Sequence, residues 1–452
     1  MRLRENFLSE HIIGLLAVFI IATGVLSLPA CTNEDSEPPQ VSKTPIEVKA
    51  VKPKVFLLDS LDLRQVEQSA EVLSVWRQFA QQKPTLLLLS NNPMLQPVPE
   101  QLREEVAGFT RTATQADLAR RGNLLHSDPL FSSAMTTDAA LRANLFDRLV
   151  WAIPRRGEDR TLELEEFRRQ MLSADLINKG EADTLTVSDQ GLSGQLRELP
   201  FQAVIIPNLP KFAGPLVVHI DLSYFQQMYK SEISTPVLEI IYDTLRQLRE
   251  RKLQVLAVTF AYGNLEDRIS LDVRYLGDVL KQLIASPAEL DQPAPLDWQR
   301  QGTIIALANL FQKDKAREVA LALATENEDK AWVKFTLYRS AQQNGQGDEA
   351  LVFLDEAVAL DKVFALEYAT LAEKAYDRRQ PHAALQILQK ASVAFPDNHF
   401  LQLKLAQLSR ELGDLETASS LLKNLRKLTW SSTYYPDMPD YLKAFEADIM
   451  TQ

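Results

Sequence analysis

The last third of the chain keeps a fixed step of 34 residues. Ala350, Ala384 and Ala418 stand at that step, as do Leu337, Leu371 and Leu405, and Leu354, Leu388 and Leu422. Ala357 and Ala391 are followed at the same step by Leu425, and Ala316 and Leu323 keep it one unit earlier. A period of this length fits one supersecondary unit, two antiparallel helices and their turns. Small residues at fixed places let the paired helices approach closely, and leucines fill the space between them. One pair cannot bury its apolar face alone, so successive pairs must stack into a solenoid. Gly345 and Gly413 fall in the turns between paired helices. The stack is expected over residues 298–430, with good repeats in 331–430, a shorter and weaker unit leading in, and a capping helix over 431–452.

The segment Phe364 to Asp397 resembles a tetratricopeptide repeat. Tyr368, Leu371, Ala372, Ala384, Leu388, Ala391 and Pro396 fall on that family's pattern. The resemblance implies a concave groove that binds a protein or peptide ligand. His382 and His399 fall at helix-connecting turns and are expected at the surface.

The N-terminus has a different character. Arg2 and Arg4 precede an almost unbroken apolar run, Ile12 to Leu28, which ends in Leu28-Pro29-Ala30-Cys31. That order resembles a bacterial lipobox, in which the cysteine receives lipid. Cys31 is the only cysteine of the chain, so no intrachain disulfide and no Cys-based zinc site can form. Residues 1–31 are then a lipoprotein signal peptide ending at lipidated Cys31. The alternative is an uncleaved single span, because the apolar run is long for a signal sequence. Residues 32–51 are polar and Pro-rich and read as a flexible tether. Thr32, rather than Asp, follows the cysteine, which resembles the outer-membrane sorting pattern. The expected location is the bacterial cell envelope, lipid-anchored at the outer membrane and facing the periplasm.

Residues 52–285 alternate apolar runs with amphipathic stretches. Val55–Leu58, Thr85–Leu89, Phe201–Ile206, Pro215–Ile220 and Val255–Phe260 read as strands. Ser60–Gln82, Pro236–Leu248 and Leu271–Ile284 read as helices, and Gly157–Glu198 as an inserted helix and hairpin. Continuous apolar strands separated by helices indicate a layered α/β domain with a mainly parallel sheet. Residues 286–297 form the linker into the repeats.

The order of these elements resembles the arginase and histone-deacetylase fold. The features that carry the resemblance are the helix with Trp76 leading to TLLLL, the segment Leu141–Pro154 ending in VWAIP, and HIDLSYF over His219–Phe225 followed by VTFAYGNLEDRISLDVRYLGDVL. The family holds divalent metals, Mn or Zn, on carboxylates and histidines at two strand ends and hydrolyses C–N bonds with metal-activated water. Matched onto TLLLL, the ligand places of the first loop become Ser90, Asn92 and Met94. In the second loop Asp221 survives and its partner is Ser223. One carboxylate cannot hold a hard divalent cation tightly. A second register, through Leu124-Leu125, supplies His126 and Asp128, so that His126, Asp128, His219 and Asp221 form the candidate metal set, with Asp221 the candidate catalytic residue. The readings preferred for these two are a core histidine on a buried strand for His219 and a carboxylate hydrogen-bonded to loop amides at the strand end for Asp221.

A net charge of −11 argues against nucleic-acid binding, which needs a basic stripe. The expectation is an arginase-like layered α/β domain without cofactor, followed by an all-α tetratricopeptide-repeat solenoid. The whole would act as a membrane-anchored, protein-binding scaffold. The alternative is a metal-dependent C–N hydrolase recruited by the repeats.

Overall fold

The computed structural model describes residues 51–155, 162–231, 236–264 and 269–451. The apolar run 12–28 and Cys31 lie outside the described residues. No described helix is long and apolar enough to cross a membrane.

The α/β part is built on one mixed sheet of β1 (Lys54–Val55), β2 (Leu63–Val66), β3 (Thr85–Leu89), β4 (Arg148–Ala152), β5 (Thr186–Ser188), β6 (Gly191–Leu196), β7 (Leu199–Val204), β8 (Leu216–Asp221) and β9 (Gln254–Ala261). The order is β1-β9-β8-β3-β4-β7-β6-β5, with β2 also paired to β9. Strands β2, β9, β8, β3, β4 and β7 run parallel. The hairpin β5–β6 and strand β1 add antiparallel margins.

Alternate residues of each central strand point to opposite faces, and both faces are covered, which is why TLLLL and LVV carry no polar alternation. Leu86, Leu88, Trp151 and Val217 pack beneath α1 (Leu73–Trp76), α2 (Arg103–Thr112), α3 (Gln115–Arg121), α4 (Thr136–Arg142), α5 (Leu164–Ser173) and α6 (Lys179–Thr184). Leu87, Leu89, Val150, Val218 and Ile220 pack beneath α7 (Leu222–Ser231), α8 (Val237–Glu250) and α9 (Tyr275–Ala285).

Two expected elements differ. The stretch 60–82 is not one helix: Leu63–Val66 is strand β2, and only Leu73–Trp76 is α-helical, between tighter 3-10 turns. Leu63 and Val66 are buried while Arg64 lies outside, and the open edge of β9 offers hydrogen bonds that a surface helix would not. Residues 55–58 form only the end of a strand. Leu57 takes a left-handed backbone with φ 58° and its side chain is buried, and the Val55 N–H donates to the Asp59 carboxylate at 2.7 Å. The inserted segment does form helices and a hairpin. Arg197 ties that hairpin down through Asp138 (2.5 Å) and Glu181 (2.7 Å).

The repeats are four complete helix pairs: α10 (Leu296–Asn309) with α11 (Lys313–Glu326), α12 (Ala331–Gln343) with α13 (Gly347–Leu360), α14 (Leu366–Asp377) with α15 (Pro381–Ala394), and α16 (His399–Glu411) with α17 (Leu415–Leu425). The cap is α18 (Met438–Met450). The leading pair is as long as the others, so the weak unit in the sequence is a full member. Ala316, Ala350, Ala384 and Ala418 are all buried, as are Leu323, Ala357, Ala391 and Leu425. The second helices begin at Lys313, Gly347, Pro381 and Leu415, one period apart.

Candidate functional site

In open parallel sheets, ligands bind beyond the carboxyl ends of the strands, where neighbouring connections diverge. Here that point lies between β3 and β8. The chain leaves β3 for β4 on one side and leaves β8 for β9 on the other. Residues Ser90-Asn91-Asn92 follow β3, and Asp221 ends β8.

This crevice is closed by its own hydrogen bonds. Asp221 is 2% exposed and accepts the Ser223 N–H at 2.7 Å, opening α7. The Asn91 N–H donates to Ser223 Oγ at 3.2 Å, the Asn92 N–H to Ser90 Oγ at 3.2 Å, and the Met94 N–H to Asn92 Oδ1 at 2.9 Å. Burial pushes the Asp221 carboxyl up, opposed by the Ser223 hydroxyl and amide and by Ser69. His219, two residues earlier, lies on the same face of the strand and is fully buried. Its Nδ1 meets Thr259 Oγ1 at 3.0 Å, and the Trp76 indole N–H donates to the same oxygen at 3.1 Å. The Trp76 ring packs edge-on to the imidazole at 5.4 Å. Burial pushes the imidazole down to about 3, so it is neutral at ordinary pH. The geometry is that of a core histidine.

His126 and Asp128 stand elsewhere. The register through Leu124-Leu125 is not a strand: the Leu125 N–H donates to Asn123 Oδ1 at 2.8 Å and the His126 N–H to the Asn123 carbonyl at 3.1 Å, a polar turn with no neighbouring strand. His126 Nδ1 lies 2.7 Å from Asp128, and Arg121 lies 3.5 Å from the same carboxylate. Among the described residues no three His, Cys, Asp or Glu side chains form a group that could hold a metal ion. The metal set His126, Asp128, His219 and Asp221 is therefore not assembled as one site in the described residues.

The structure instead brings His126 against His399, with ring centres 4.6 Å apart. His399 Nδ1 accepts the Ser127 N–H at 3.0 Å, and the His399 N–H donates to the Leu125 carbonyl at 3.2 Å. The expectation of a surface His399 is thus corrected: it is buried at the start of α16, where the repeats return to the α/β part. His382 is exposed. Just beyond α17, Ser431 donates to the Ser127 carbonyl at 2.9 Å, Tyr434 to the Leu130 carbonyl at 3.1 Å, and Tyr435 to the Leu124 carbonyl. The concentration of Trp430, Tyr434 and Tyr435 after the last pair is the sequence signal that could have marked this contact.

The nearer end of the stack is joined more firmly. Trp298, Trp332 and Phe335, on the first helices of two pairs, share one apolar core with α8 and α9. Trp332 packs on Tyr275 with ring centres 5.6 Å apart, and Arg339 pairs with Asp272 at 3.2 Å. Arg274 bonds Glu67 (2.9 Å), Asn264 (3.0 Å) and Asp361 (3.2 Å), and lies 3.8 Å above the Tyr262 ring. One period after Trp332, Phe335 and Arg339 stand Leu366, Ala369 and Glu373, which occupy the same helix face. The inner face of the first two pairs is therefore occupied by the chain's own α/β part. On the third pair that face presents half-buried Glu373 and Tyr376. Tyr376 donates to Glu411 at 2.9 Å, and Glu373 and Asp377 favour the charge on Lys404, whose ammonium is pushed down by burial.

No family model matches the sequence, and no curated protein matches it. Among solved structures, the chain is similar to the crystal structure of MamA protein, at 14% identity over 34% of this chain and 86% of that chain, with a TM-score of 0.24. It is also similar to a kinesin light chain with nearly identical TPR-like repeats from Podosopora anserina, at 16% identity over 34% of this chain and 93% of that chain, with a TM-score of 0.21. The repeat architecture itself is read from the helix pairs.

Proposed function

We propose that this chain is a protein-binding scaffold of the bacterial envelope, anchored to the membrane through lipid on Cys31. The stack of helix pairs binds the partner, and the α/β part is an arginase-like domain without metal that serves as a second binding module. The observation that carries the reading is the stack of four helix pairs, whose first two are filled on the inner face by the α/β part while the third presents half-buried Glu373 and Tyr376 and exposed Asp377. A partner approaching the groove meets Glu373, Tyr376 and Asp377 rather than Trp332 or Phe335. At the switch point between β3 and β8 Asp221 is held by the Ser223 N–H while His219 Nε2 stays buried without a partner, and among the described residues no third metal-binding side chain joins the two, which supports binding over metal chemistry there.

The scaffold is tested by placing a photo-crosslinking side chain at Tyr376 or at Trp332 of the full chain in the cell of origin. Discrete crosslinked species from Tyr376, absent from Trp332, are expected; crosslinking from neither site, nor from Glu373, sinks the scaffold. Elemental analysis tests the second module: near-stoichiometric Mn or Zn that is lost on Asp221→Ala would replace it with a C–N hydrolase. Cys31→Ser should release the protein from membranes, and retention would favour an uncleaved span.

A further inference from the structure

Each helix pair turns through one residue with a left-handed backbone: Phe311 (φ 59°), Gly345 (φ 76°), Arg379 (φ 60°) and Gly413 (φ 81°), one period apart. The turns are built alike. The left-handed residue donates its N–H three residues back, Phe311 to Ala308 at 3.1 Å and Gly345 to Gln342 at 3.1 Å. The next residue donates to the carbonyl five back, Gln312 to Leu307 at 2.9 Å and Gln346 to Ala341 at 3.0 Å. This helix-ending motif favours glycine, because a β-carbon is strained there. Phenylalanine is among the worst choices, yet its ring gains no burial in return: Phe311 is 84% exposed and Leu310 beside it 65%. A strained backbone that holds an aromatic side chain out into solvent points to a contact made outside the fold.

We propose that the Leu310-Phe311 turn is an interfacial anchor that inserts into the headgroup region of an anionic bilayer. The inference rests on the membrane-tethered reading above. Size decides between occupants. Two side chains on a turn fall far short of the about 800 Å² per partner that a stable protein interface buries. They suffice for a chain already held at a surface, where a tether makes the second contact intramolecular. Residues 32–51 span at most about 70 Å when extended, which keeps the folded part near the bilayer. Lys313 and Lys315 are exposed beside the tip and outnumber exposed Asp314 between them, on a chain whose net charge is −11, and they match anionic headgroups as basic residues flanking an apolar insertion do.

The test uses the full chain with Phe311→Trp, reconstituted on vesicles of phosphatidylethanolamine and phosphatidylglycerol with brominated acyl chains. Trp76, Trp151, Trp298 and Trp332 are buried and Trp430 is half-buried, so the parent chain gives a weakly quenched baseline. We expect quenching of the variant to exceed that of the parent by at least about twofold, and Lys313→Glu with Lys315→Glu to abolish the excess. A chain that sediments with vesicles while Trp at position 311 is quenched no more than the parent overturns the anchor and leaves the tether standing. A chain that does not sediment overturns both. Shielding of position 311 without lipid, together with a dimer mass, assigns the tip to a second copy and overturns the anchor. Phe311→Gly keeps the turn; loss of vesicle-dependent hydrogen-exchange protection over residues 309–316 in that variant is the matching positive result, and unchanged protection counts against the proposal.

Discussion

At the scale of single residues, His399 has the plainest energetic consequence. Its Nδ1 accepts the Ser127 N–H and so carries no proton, and burial beside the His126 ring holds it down to about 4 from an ordinary value of 6.5. The unfolded chain takes up that proton first. Stability from this group is therefore complete above pH 6.5 and is lost as pH falls from 6.5 toward 4, with a slope approaching about 1.4 kcal/mol per pH unit. Thermal melts between pH 7 and 4 should show a fall in Tm that His399→Gln, which keeps an acceptor for Ser127, makes shallower. An unchanged slope would remove the histidine from the account. Phe311→Gly is a second prediction at this scale. Relief of the left-handed strain should raise stability by about 1 kcal/mol, seen as a higher Tm with unchanged circular dichroism. Little of this was legible beforehand. His399 opens a helix within a repeat, where a lone sequence shows an exposed turn, and its burial depends on Ser127 and Leu125, nearly three hundred positions away.

At the scale of elements, legibility followed periodicity. The second helices were legible because alanine and leucine recur in strict register, and β3, β8 and β9 because runs covered on both faces are apolar throughout. The segment Leu63–Val66 was not: its four residues also fit a helical face, and only the unpaired edge of β9 makes them a strand. The leading helix pair was legible in Ala316 and Leu323 and obscured by Phe311 where a sister turn has glycine. Of the site residues, Asp221 and His219 were correctly located at a strand end. Their partners beyond the loop amides were not visible, because Ser69, Thr259 and Trp76 come from three other segments. The junction at Arg274 is likewise a product of assembly, joining Glu67 after β2, Asn264 after β9 and Asp361 after α13. Arg274→Met should lower stability by about 2–3 kcal/mol, below the full value for a buried pair because both carboxylates are partly exposed. Urea titration would show a lower midpoint, whereas a change within a few tenths of a kcal/mol would make the junction incidental.

At the scale of the molecule, the sheet and the stack share one apolar core that runs from Leu87 and Val218 through α8 and α9 to Trp298, Trp332 and Phe364. Unfolding followed by tryptophan fluorescence and by helical circular dichroism should therefore coincide in one urea transition. Two resolved transitions would show that the parts are independent. For the same reason residues 286–452 alone expose Trp298, Trp332 and Phe335 and should associate, so binding studies belong on the full chain. The return of the stack to the loop at Leu124–Leu130 has a further consequence, in time rather than in space. The groups that satisfy that loop, His399, Ser431 and Tyr434, are made about 270 or more residues after it. Contacts of such long sequence separation form slowly, because loop closure must precede them. The loop thus waits with open polar backbone for residues made about 270 positions later, after the first two helix pairs have already covered the apolar faces of α8 and α9. Chains cut short before residue 399 keep that polar loop open, and those cut short before Trp298 also expose α8 and α9, the kind of species that chaperones hold and proteases remove.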